Sequence, residues 1–325
     1  MSSLIPQKLR QALRRNSIMH GAYMRLKRRF TSQLVGMTSK AEQDFCTRYG
    51  REIYSGEGDV VDLGCWLGST TITLARGLSE NNAFVRAGRT VHAYDLFVWS
   101  DWMNESLAGT GISGRFAEGE SFLAEFERRS ARYSEHIEPH AGDLTKIRWN
   151  GGPIEFLLVD AMKNWDLTNA IIHDFYPYLI PGKSLVMHQD FAFWLVPWIH
   201  VLQWRLRDHF EIYDDIQGST SLVFKLTSPI PVELLTEKYS YKRFSRQDLN
   251  SAYEYFLDRV SPAKRPNVAA AKVLWFLDQN DVSEAGKVLN DLIQQGIPLT
   301  DEMLAAREML ESRKSAAEDL VDRVL

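Results

Sequence analysis

The sequence predicts an α/β fold: a doubly wound, mostly parallel sheet of seven strands with a helical appendage at its C-terminal end. Three observations predict it. Short apolar runs alternate with helical stretches from about Glu42 to Leu226, as in chains that alternate strands and helices. Three of these runs are almost continuously apolar, as expected for parallel strands buried on both faces. Two later runs, separated by a short polar break, indicate an antiparallel hairpin that ends the sheet.

The strands are assigned in chain order from these runs. The first, second, fourth and fifth are 59-DVVDLG-64, 90-TVHAYDL-96, 154-IEFLLVD-160 and 184-SLVMHQD-190, and the third ends at 140-HAGD-143. The hairpin strands are 210-FEIYDDI-216 and 219-STSLVFKL-226, with a predicted two-residue turn at Gln217 and Gly218.

Three regions follow from changes in composition. Residues 1–41 contain no acidic side chain and are predicted to form a basic helical arm, residues 42–229 the α/β domain, and residues 230–325 the helical appendage. A polar break at Asn280 and Asp281 separates two helical segments there. The segment 269–293 resembles one tetratricopeptide hairpin, but no second copy follows at that period, which favours an added packing hairpin.

The composition excludes several classes of protein. A formal charge of −4 over 325 residues gives no general reason to expect a nucleic-acid partner. Two cysteines, Cys46 and Cys65, are too few for a disulfide framework, and no apolar run is long enough to span a membrane. We therefore expect a soluble cytoplasmic protein. The basic arm is predicted to be solvated, with contact to an anionic membrane as the alternative.

The segment 60-VVDLGCWLGSTTITLA-75 combines a buried strand, a turn with Gly64 and Gly68, and a helix opened by Ser69 or Thr70. Its glycine spacing differs from the Gly-x-Gly-x-x-Gly pattern of dinucleotide sites, which weakens a nicotinamide interpretation. The segment resembles the first motif of class I S-adenosylmethionine-dependent methyltransferases. The resemblance implies a Rossmann-like methyltransferase fold, with Asp62 as the acidic residue of the motif and with glycines that make room for the amino-acid half of the cofactor.

Acidic residues also end the next three strands, at the sheet edge where open α/β folds bind ligands. In the methyltransferase family, Asp95 would accept the ribose hydroxyls and Asp143 would bond the adenine amino group. Asp62, Gly64, Gly68, Ser69, Asp95 and Asp143 are the candidate cofactor-binding residues.

The segment 157-LLVDAMKNWD-166 resembles the metal-dependent O-methyltransferases of the macrocin and catechol types. That resemblance implies Asp160, Gln189 and Asp190 as oxygen ligands of Mg²⁺, with Lys163 as the general base. The alternative is His188 as a metal-free base. Lys163 and His188 also have ordinary interpretations, as a solvated lysine and a core histidine. The pair in 136-HIEPH-140 is assigned no metal, because no third ligand lies nearby in the sequence.

The function predicted from this resemblance is O-methylation of a small hydroxylated acceptor, such as a sugar or a glycosylated metabolite. Trp99, Trp102, Trp194 and Trp198 would offer aromatic faces to such a ring, or else they lie in the core or in a homo-oligomer contact. The competing hypothesis is a catalytically silent protein that binds S-adenosylmethionine or a partner.

Overall fold

The structure is a computed structural model that describes residues 34–324, with side chains through residue 315. Residues 1–33, which make up most of the predicted basic arm, lie outside the described residues. The described part forms two compact units, one with residues up to Gln189 together with His209–Glu237, the other with Asp190–Asp208 and residues from Lys238 onward. The segment Asp190–Asp208, expected within the α/β domain, therefore groups with the C-terminal helices.

The first unit contains a seven-stranded sheet. Its strands are β1 Asp59–Leu63, β2 Val91–Asp95, β3 Ile137–Ala141, β4 Ile154–Val159, β5 Leu185–His188, β6 Phe210–Asp215 and β7 Leu222–Leu226. The strand order is β3-β2-β1-β4-β5-β7-β6. Strands β1 to β5 run parallel, and β7 is antiparallel to both β5 and β6. This order reverses at β1 and confirms the predicted doubly wound, Rossmann-like fold.

Helices connect these strands. In the first unit they are α1 Lys40–Arg48, α2 Ser69–Ser79, α3 Asn82–Ala87, α4 Asp101–Ser106, α5 Leu123–Ser130, α6 Trp165–Asp174 and α8 Val232–Thr236; in the second unit they are α7 Trp198–Arg205, α9 Arg246–Arg259, α10 Arg265–Asp278, α11 Val282–Gln294 and α12 Asp301–Val324.

The central strands are buried along their whole length. Every residue of β1 and of β4 is buried, which explains why both read as continuous apolar runs in the sequence. The two strands pair in parallel, with Asp62 beside Leu158 and Leu63 beside Val159. Their carboxyl ends therefore emerge together at one edge of the sheet.

Two sequence predictions about strand ends were wrong. Strand β3 stops at Ala141 and contains Pro139, whereas the third strand was predicted to end at Asp143. Proline is tolerated there because β3 lies at the edge of the sheet. The turn between β6 and β7 spans residues 216–221 rather than two residues, with Gly218 at φ +74°.

The second unit contains the predicted helical break. Helix α10 ends at Asp278, Asn280 adopts a left-handed φ of +61°, and the Asp281 side chain accepts a hydrogen bond from the backbone N–H of Glu284 to begin α11. Apolar side chains at helical spacing in both helices are buried: Leu274, Leu277, Val288, Leu289 and Leu292. Among the described residues, no helix is both long enough and apolar enough to span a membrane.

A buried carboxylate fixes the entry to β1. Glu155 is 3% exposed, and it accepts backbone hydrogen bonds from Ser55 at 2.6 Å, from Glu57 at 2.7 Å and from Gly58 at 3.3 Å. The segment that leads into β1 is thereby tied to the start of β4.

We expect Glu155→Gln to lower the free energy of unfolding by about 1–3 kcal/mol. The amide oxygen of glutamine can accept hydrogen bonds but its NH₂ group cannot, so part of the three backbone donors would lose their acceptor. Urea denaturation measures the change. Glu57→Gln is the matched control, since the Glu57 side chain is exposed, contacts Lys183 and the Ser55 hydroxyl, and its substitution keeps the backbone N–H bond to Glu155. Equal losses in both variants would contradict the assigned role of Glu155.

Candidate functional site

The turn after β1 is hydrogen-bonded to the end of β2. The backbone N–H groups of Gly64 and Cys65 donate to the carbonyl of Tyr94 at 2.8 and 3.1 Å. The N–H of Trp66 donates to Oδ2 of Asp95 at 2.9 Å. Three of the predicted cofactor-binding residues, Asp62, Gly64 and Asp95, are thus brought to one edge of the sheet.

Gly64 is required by the approach of β4 as well as by its own backbone angle. Its φ is +89°, and a Cβ atom built there would lie 2.8 Å from the carbonyl oxygen of Asp160. Asp160 in turn donates its N–H to the carbonyl of Leu63 at 2.8 Å. The sequence analysis explained this glycine only by the room that a ligand needs. The structure adds a second reason, because a side chain at this position would collide with the backbone of Asp160.

Helix α2 begins at Ser69, as predicted, but its N-cap is Gly68 at φ +79°. Glycine has no side chain, so the cap position of this helix makes no side-chain hydrogen bond. A Cβ atom at Gly68 would lie 2.9 Å from the Phe126 ring, which leaves space only for glycine. The Ser69 hydroxyl accepts a hydrogen bond from Thr38 at 2.7 Å and so lies against the segment that precedes α1.

Asp62 is fully buried and only half satisfied. Its Oδ2 accepts hydrogen bonds from the hydroxyls of Thr70 at 2.7 Å and of Thr71 at 2.6 Å. Its Oδ1 is buried and has no hydrogen-bond partner among the described residues. Burial raises the pKa of Asp62 to about 6, against the opposing effect of the two threonine bonds. A buried carboxylate oxygen in this state can accept a donor from a bound molecule.

Asp95 is held by backbone groups. Its two oxygens accept from the N–H groups of Phe97 and Trp66, each at 2.9 Å. Burial raises the pKa of Asp95, although these backbone bonds act in the opposite direction. Both donor residues have a left-handed backbone, with φ of +51° at Phe97 and +44° at Trp66, which is uncommon for side chains of this size. Each carboxylate oxygen keeps a lone pair for a further donor.

Asp143 lies two residues beyond β3. Its Oδ1 accepts from the backbone N–H and the hydroxyl of Thr145 at 2.9 and 2.7 Å, and Lys146 lies 3.5 Å from Oδ2. Partial burial alone would raise the pKa of Asp143, but the bonds from Thr145 and the Lys146 charge hold it below its usual value. The neighbouring Gly142 donates its N–H to the carbonyl of Asp95 at 2.9 Å, which places Asp143 beside the end of β2.

Asp160 and Lys163 form a close ion pair after β4, with Nζ 2.5 Å from Oδ1. Both side chains are partly exposed, 22% for Asp160 and 34% for Lys163. Because Gly64 contacts the backbone of Asp160, this pair lies beside the turn after β1.

The structure gives His188 the surroundings of a core histidine. It is completely buried, its Nε2 lies 3.1 Å from the Tyr176 hydroxyl, and its ring contacts Phe224 edge-on. A general base must reach the acceptor, so this position favours the packing interpretation.

Gln189 and Asp190 follow β5 directly. Both are buried, and Gln189 is held through its backbone: its N–H donates to Val159, and its carbonyl accepts from the Thr220 hydroxyl at 2.7 Å. Asp190 begins the second unit, where its carbonyl accepts the N–H of Phe193. Their role as metal ligands stays a prediction.

Three polar residues of this site were missed by the sequence analysis. Thr70 and Thr71 bind Asp62, and Arg129 of α5 donates to the carbonyls of Leu67 and Val35 at 2.9 and 2.6 Å. The spacing of a strand, a short turn and a helix could have suggested the threonines. Arg129 belongs to the insertion between β2 and β3, and nothing in the sequence indicates what it contacts.

The predicted aromatic faces are mostly buried. Trp99 is 0% exposed and packs against Phe116 and Phe122, so the interpretation of Trp99 as a ligand-facing ring was wrong. Trp194 and Trp198 are also buried, within the second unit. Trp102 is half-buried and packs on Trp66, with ring centroids 5.7 Å apart.

No family model and no curated protein sequence matches the chain. It is similar in structure to several O-methyltransferases. NovP is 16% identical over 59% of this chain and 82% of its own, with a TM-score of 0.46. CalS11, a TDP-rhamnose 3'-O-methyltransferase of calicheamicin biosynthesis, is 14% identical over 68% of this chain and 95% of its own, with a TM-score of 0.41.

The CcbJ methyltransferase from Streptomyces caelestis is 13% identical over 50% of this chain and 58% of its own, with a TM-score of 0.30. At these identities the activity of the chain is inferred from its own residues.

We expect Gly64→Ala to destabilise the protein more than Gly182→Ala. Both glycines have a left-handed backbone, at φ +89° and +79°, so each alanine costs about 1–2 kcal/mol in backbone strain. Only Gly64 has a neighbour within 4 Å of the added Cβ, and the forced shift of Asp160 adds about 1–3 kcal/mol. Urea denaturation compares the two variants, and equal losses would contradict the contact with Asp160.

We expect Asp62→Asn to be more stable than the wild type at pH 8 and no more stable at pH 4. The folded chain holds the Asp62 proton up to about pH 6, whereas the unfolded chain loses it near the ordinary value of 3.8. The contribution of Asp62 to the free energy of unfolding is therefore fully present below pH 3.8 and is lost as the pH rises toward 6. The total loss is about 3 kcal/mol. Denaturation at both pH values measures the difference. Asp44→Asn, at an exposed carboxylate, serves as control and should change little at either pH.

Proposed function

We propose that this chain is a methyltransferase that binds S-adenosylmethionine at the carboxyl ends of β1, β2 and β3 and methylates a hydroxyl group of a small molecule. The observation that carries the proposal is the unpartnered Oδ1 of Asp62, buried beside the Gly64 turn. A buried, unsatisfied carboxylate oxygen is costly, and a cationic donor from a ligand would satisfy it. The ammonium of S-adenosylmethionine is such a donor.

The neighbouring strand ends fit the rest of that cofactor. Asp95 keeps free lone pairs on both oxygens beyond its two backbone bonds, and a vicinal pair of ribose hydroxyls supplies two donors at such a spacing. Asp143 lies beside the end of β2 and offers a carboxylate to the adenine amino group. The bound cofactor would supply an electrophilic methyl group on a positively charged sulfur.

The acceptor side is assigned to Asp160 and Lys163. Methyl transfer is an in-line displacement: the new O–CH₃ bond forms as the S–CH₃ bond breaks, with its electron pair left on sulfur. The protein must align the acceptor oxygen and remove its proton. The ion pair is partly exposed and lies beside the Gly64 turn, within reach of a molecule at that edge.

The proton of the acceptor hydroxyl can be removed in two ways, which differ in the cation that lies beside Asp160. If Mg²⁺ binds there, Asp160 would be one of its ligands and the ion would lower the pKa of the acceptor hydroxyl; Lys163, no longer paired with Asp160 and in its neutral form, would accept the proton. Gln189 and Asp190 were predicted as further oxygen ligands. Without metal, the Asp160 carboxylate would accept the proton of the acceptor hydroxyl, and the Lys163 charge would stabilise the forming alkoxide. His188 is buried against Tyr176 and is not assigned the proton.

The acceptor class that we favour is a sugar or a glycosylated metabolite. Trp66, in the turn after β1, and Trp102, in α4, are both half-buried, and their ring centroids lie 5.7 Å apart. The indole N–H of Trp66 is buried without a partner among the described residues. An aromatic face with a nearby donor suits a polar ring.

We expect S-adenosylmethionine to bind in a calorimetric titration and NAD not to bind. Asp95→Asn should weaken binding by about 1–3 kcal/mol, the usual cost of leaving buried polar groups without an acceptor. Asp59→Asn is the matched control. Asp59 is a buried carboxylate at the opposite end of β1, so its substitution should leave the affinity for S-adenosylmethionine unchanged. No binding of S-adenosylmethionine by the wild type would refute the proposal.

We expect methyl transfer to require Mg²⁺, measured as radiolabel transfer to a panel of hydroxylated sugars. A chelator should then abolish turnover and leave cofactor affinity intact, and Asp160→Asn should do the same. Lys163→Ala should lower the rate by about 10²–10⁴-fold with metal present. Lys314→Ala, in an exposed pair of the same i, i+3 spacing, is the control.

Full turnover in chelator, combined with loss in Lys163→Ala, would support the metal-free route. Cofactor binding with turnover indifferent to both Asp160 and Lys163 would contradict the assigned acceptor site.

A further inference from the structure

A second cluster of metal-ligating side chains lies on the sheet away from the residues assigned above. His92 of β2 and Glu138 and His140 of β3 place one ligand atom each within 4.8 Å of the others. The register explains this, because His92 pairs with Glu138 and Tyr94 with His140 in the parallel ladder. Residues two apart on a strand share a face, so all three side chains project from the same side of the sheet.

The distances match those of a tetrahedral cation site. His92 Nδ1 lies 3.0 Å from His140 Nε2, and the Glu138 oxygens lie 3.5 Å from His92 and 3.8 Å from His140. Nitrogen and oxygen ligands at the usual 2.0–2.2 Å from zinc, at tetrahedral angles, are about 3.3 Å apart. The two nitrogens and the Glu138 carboxylate, whose Oε2 lies nearer His92 and whose Oε1 lies nearer His140, therefore already outline one face of such a polyhedron.

Both imidazoles are oriented by aromatic neighbours. His140 stacks on Tyr94 with centroids 4.3 Å apart and planes 13° from parallel, and His92 packs edge-on against Trp149 at 4.9 Å. Burial lowers the pKa of both histidines, which favours the neutral rings that ligate metals. Rings held in this way lose little freedom when they bind an ion.

We propose that His92, Glu138 and His140 form a binding site for a zinc-type divalent cation, with water in the fourth position. Two imidazoles and a carboxylate select zinc or cobalt over the hard magnesium ion. Binding needs lone pairs on the two facing nitrogens, so the ring that donates in the hydrogen bond of the free pair moves its proton to its other nitrogen. Glu138 is 56% exposed, which leaves a path for the ion and its water.

A cation at this position would join two neighbouring strands. In the described sheet, β3 is hydrogen-bonded only to β2, so its attachment depends on that one ladder. A metal ligated from both strands adds a cross-link at the edge and stabilises the folded chain in proportion to its affinity and concentration.

The test uses the full chain without a histidine tag, after treatment with a chelator and its removal. Zn²⁺ alone is titrated by calorimetry, and Co²⁺ by the visible absorption of a four-coordinate site. We expect one zinc ion per chain and a rise in melting temperature with zinc; any rise with magnesium should be the same in Glu138→Gln as in the wild type. Glu138→Gln should weaken zinc binding about tenfold or more, since even losing a group that only supports a ligand costs 10–100-fold.

The variants separate this site from others. His92→Asn and His140→Asn should also lose the zinc-dependent rise in melting temperature. His136→Asn and Glu135→Gln remove a histidine and glutamate pair just outside the cluster, 3.5 Å apart, and should bind zinc as the wild type does. Asp160→Asn should bind zinc normally, which separates the site from the magnesium prediction.

Glu138 is exposed, so its variant decides the question even if the histidine variants fold poorly. Unchanged zinc affinity in Glu138→Gln would overturn the proposal, as would the absence of any zinc binding to the wild type.

Discussion

The contact between the turn after β1 and the end of β4 is the constraint on which the candidate site depends. Gly64 has no side chain, so the backbone of Asp160 can lie against it, and the peptide groups that follow reach the carbonyl of Tyr94 and the carboxylate of Asp95. This close approach aligns the ends of β1, β2 and β4 at one edge. A larger residue at position 64 would separate the strand that carries Asp62 from the strand that presents Asp160.

Two buried carboxylates at this edge are satisfied in different ways. Asp95 accepts hydrogen bonds from two backbone N–H groups, one on each oxygen. Both hydroxyl groups that donate to Asp62 bond to the same oxygen. The negative charge of Asp95 also raises the pKa of Asp62. A charge buried in this way works against folding, and a domain is stable by only about 5–15 kcal/mol. Retaining Asp62 is understandable if a positively charged ligand binds beside it.

Much of the fold could be predicted from the sequence, because strand periodicity and buried apolar runs are local. β1, β4 and β6 lie within a residue or two of their predicted bounds, and the helical break at Asn280 is where the polar residues indicate it. Contacts that depend on register could not be predicted. In 136-HIEPH-140 the sequence pairs His136 with His140, whereas the structure groups His140 with Glu138 and with His92 on the adjacent strand. The burial of His188 against Tyr176, a residue outside its own strand, could not be predicted from its strand either.

The edge strand β3 has a further consequence for how this protein behaves at high concentration. An unprotected sheet edge presents a row of free peptide groups that can recruit a strand of another molecule and begin aggregation. Pro139 interrupts that row because it has no N–H to offer, and Glu138 adds an exposed negative charge beside it. The same five residues that carry two metal-ligating side chains therefore also discourage intermolecular strand pairing.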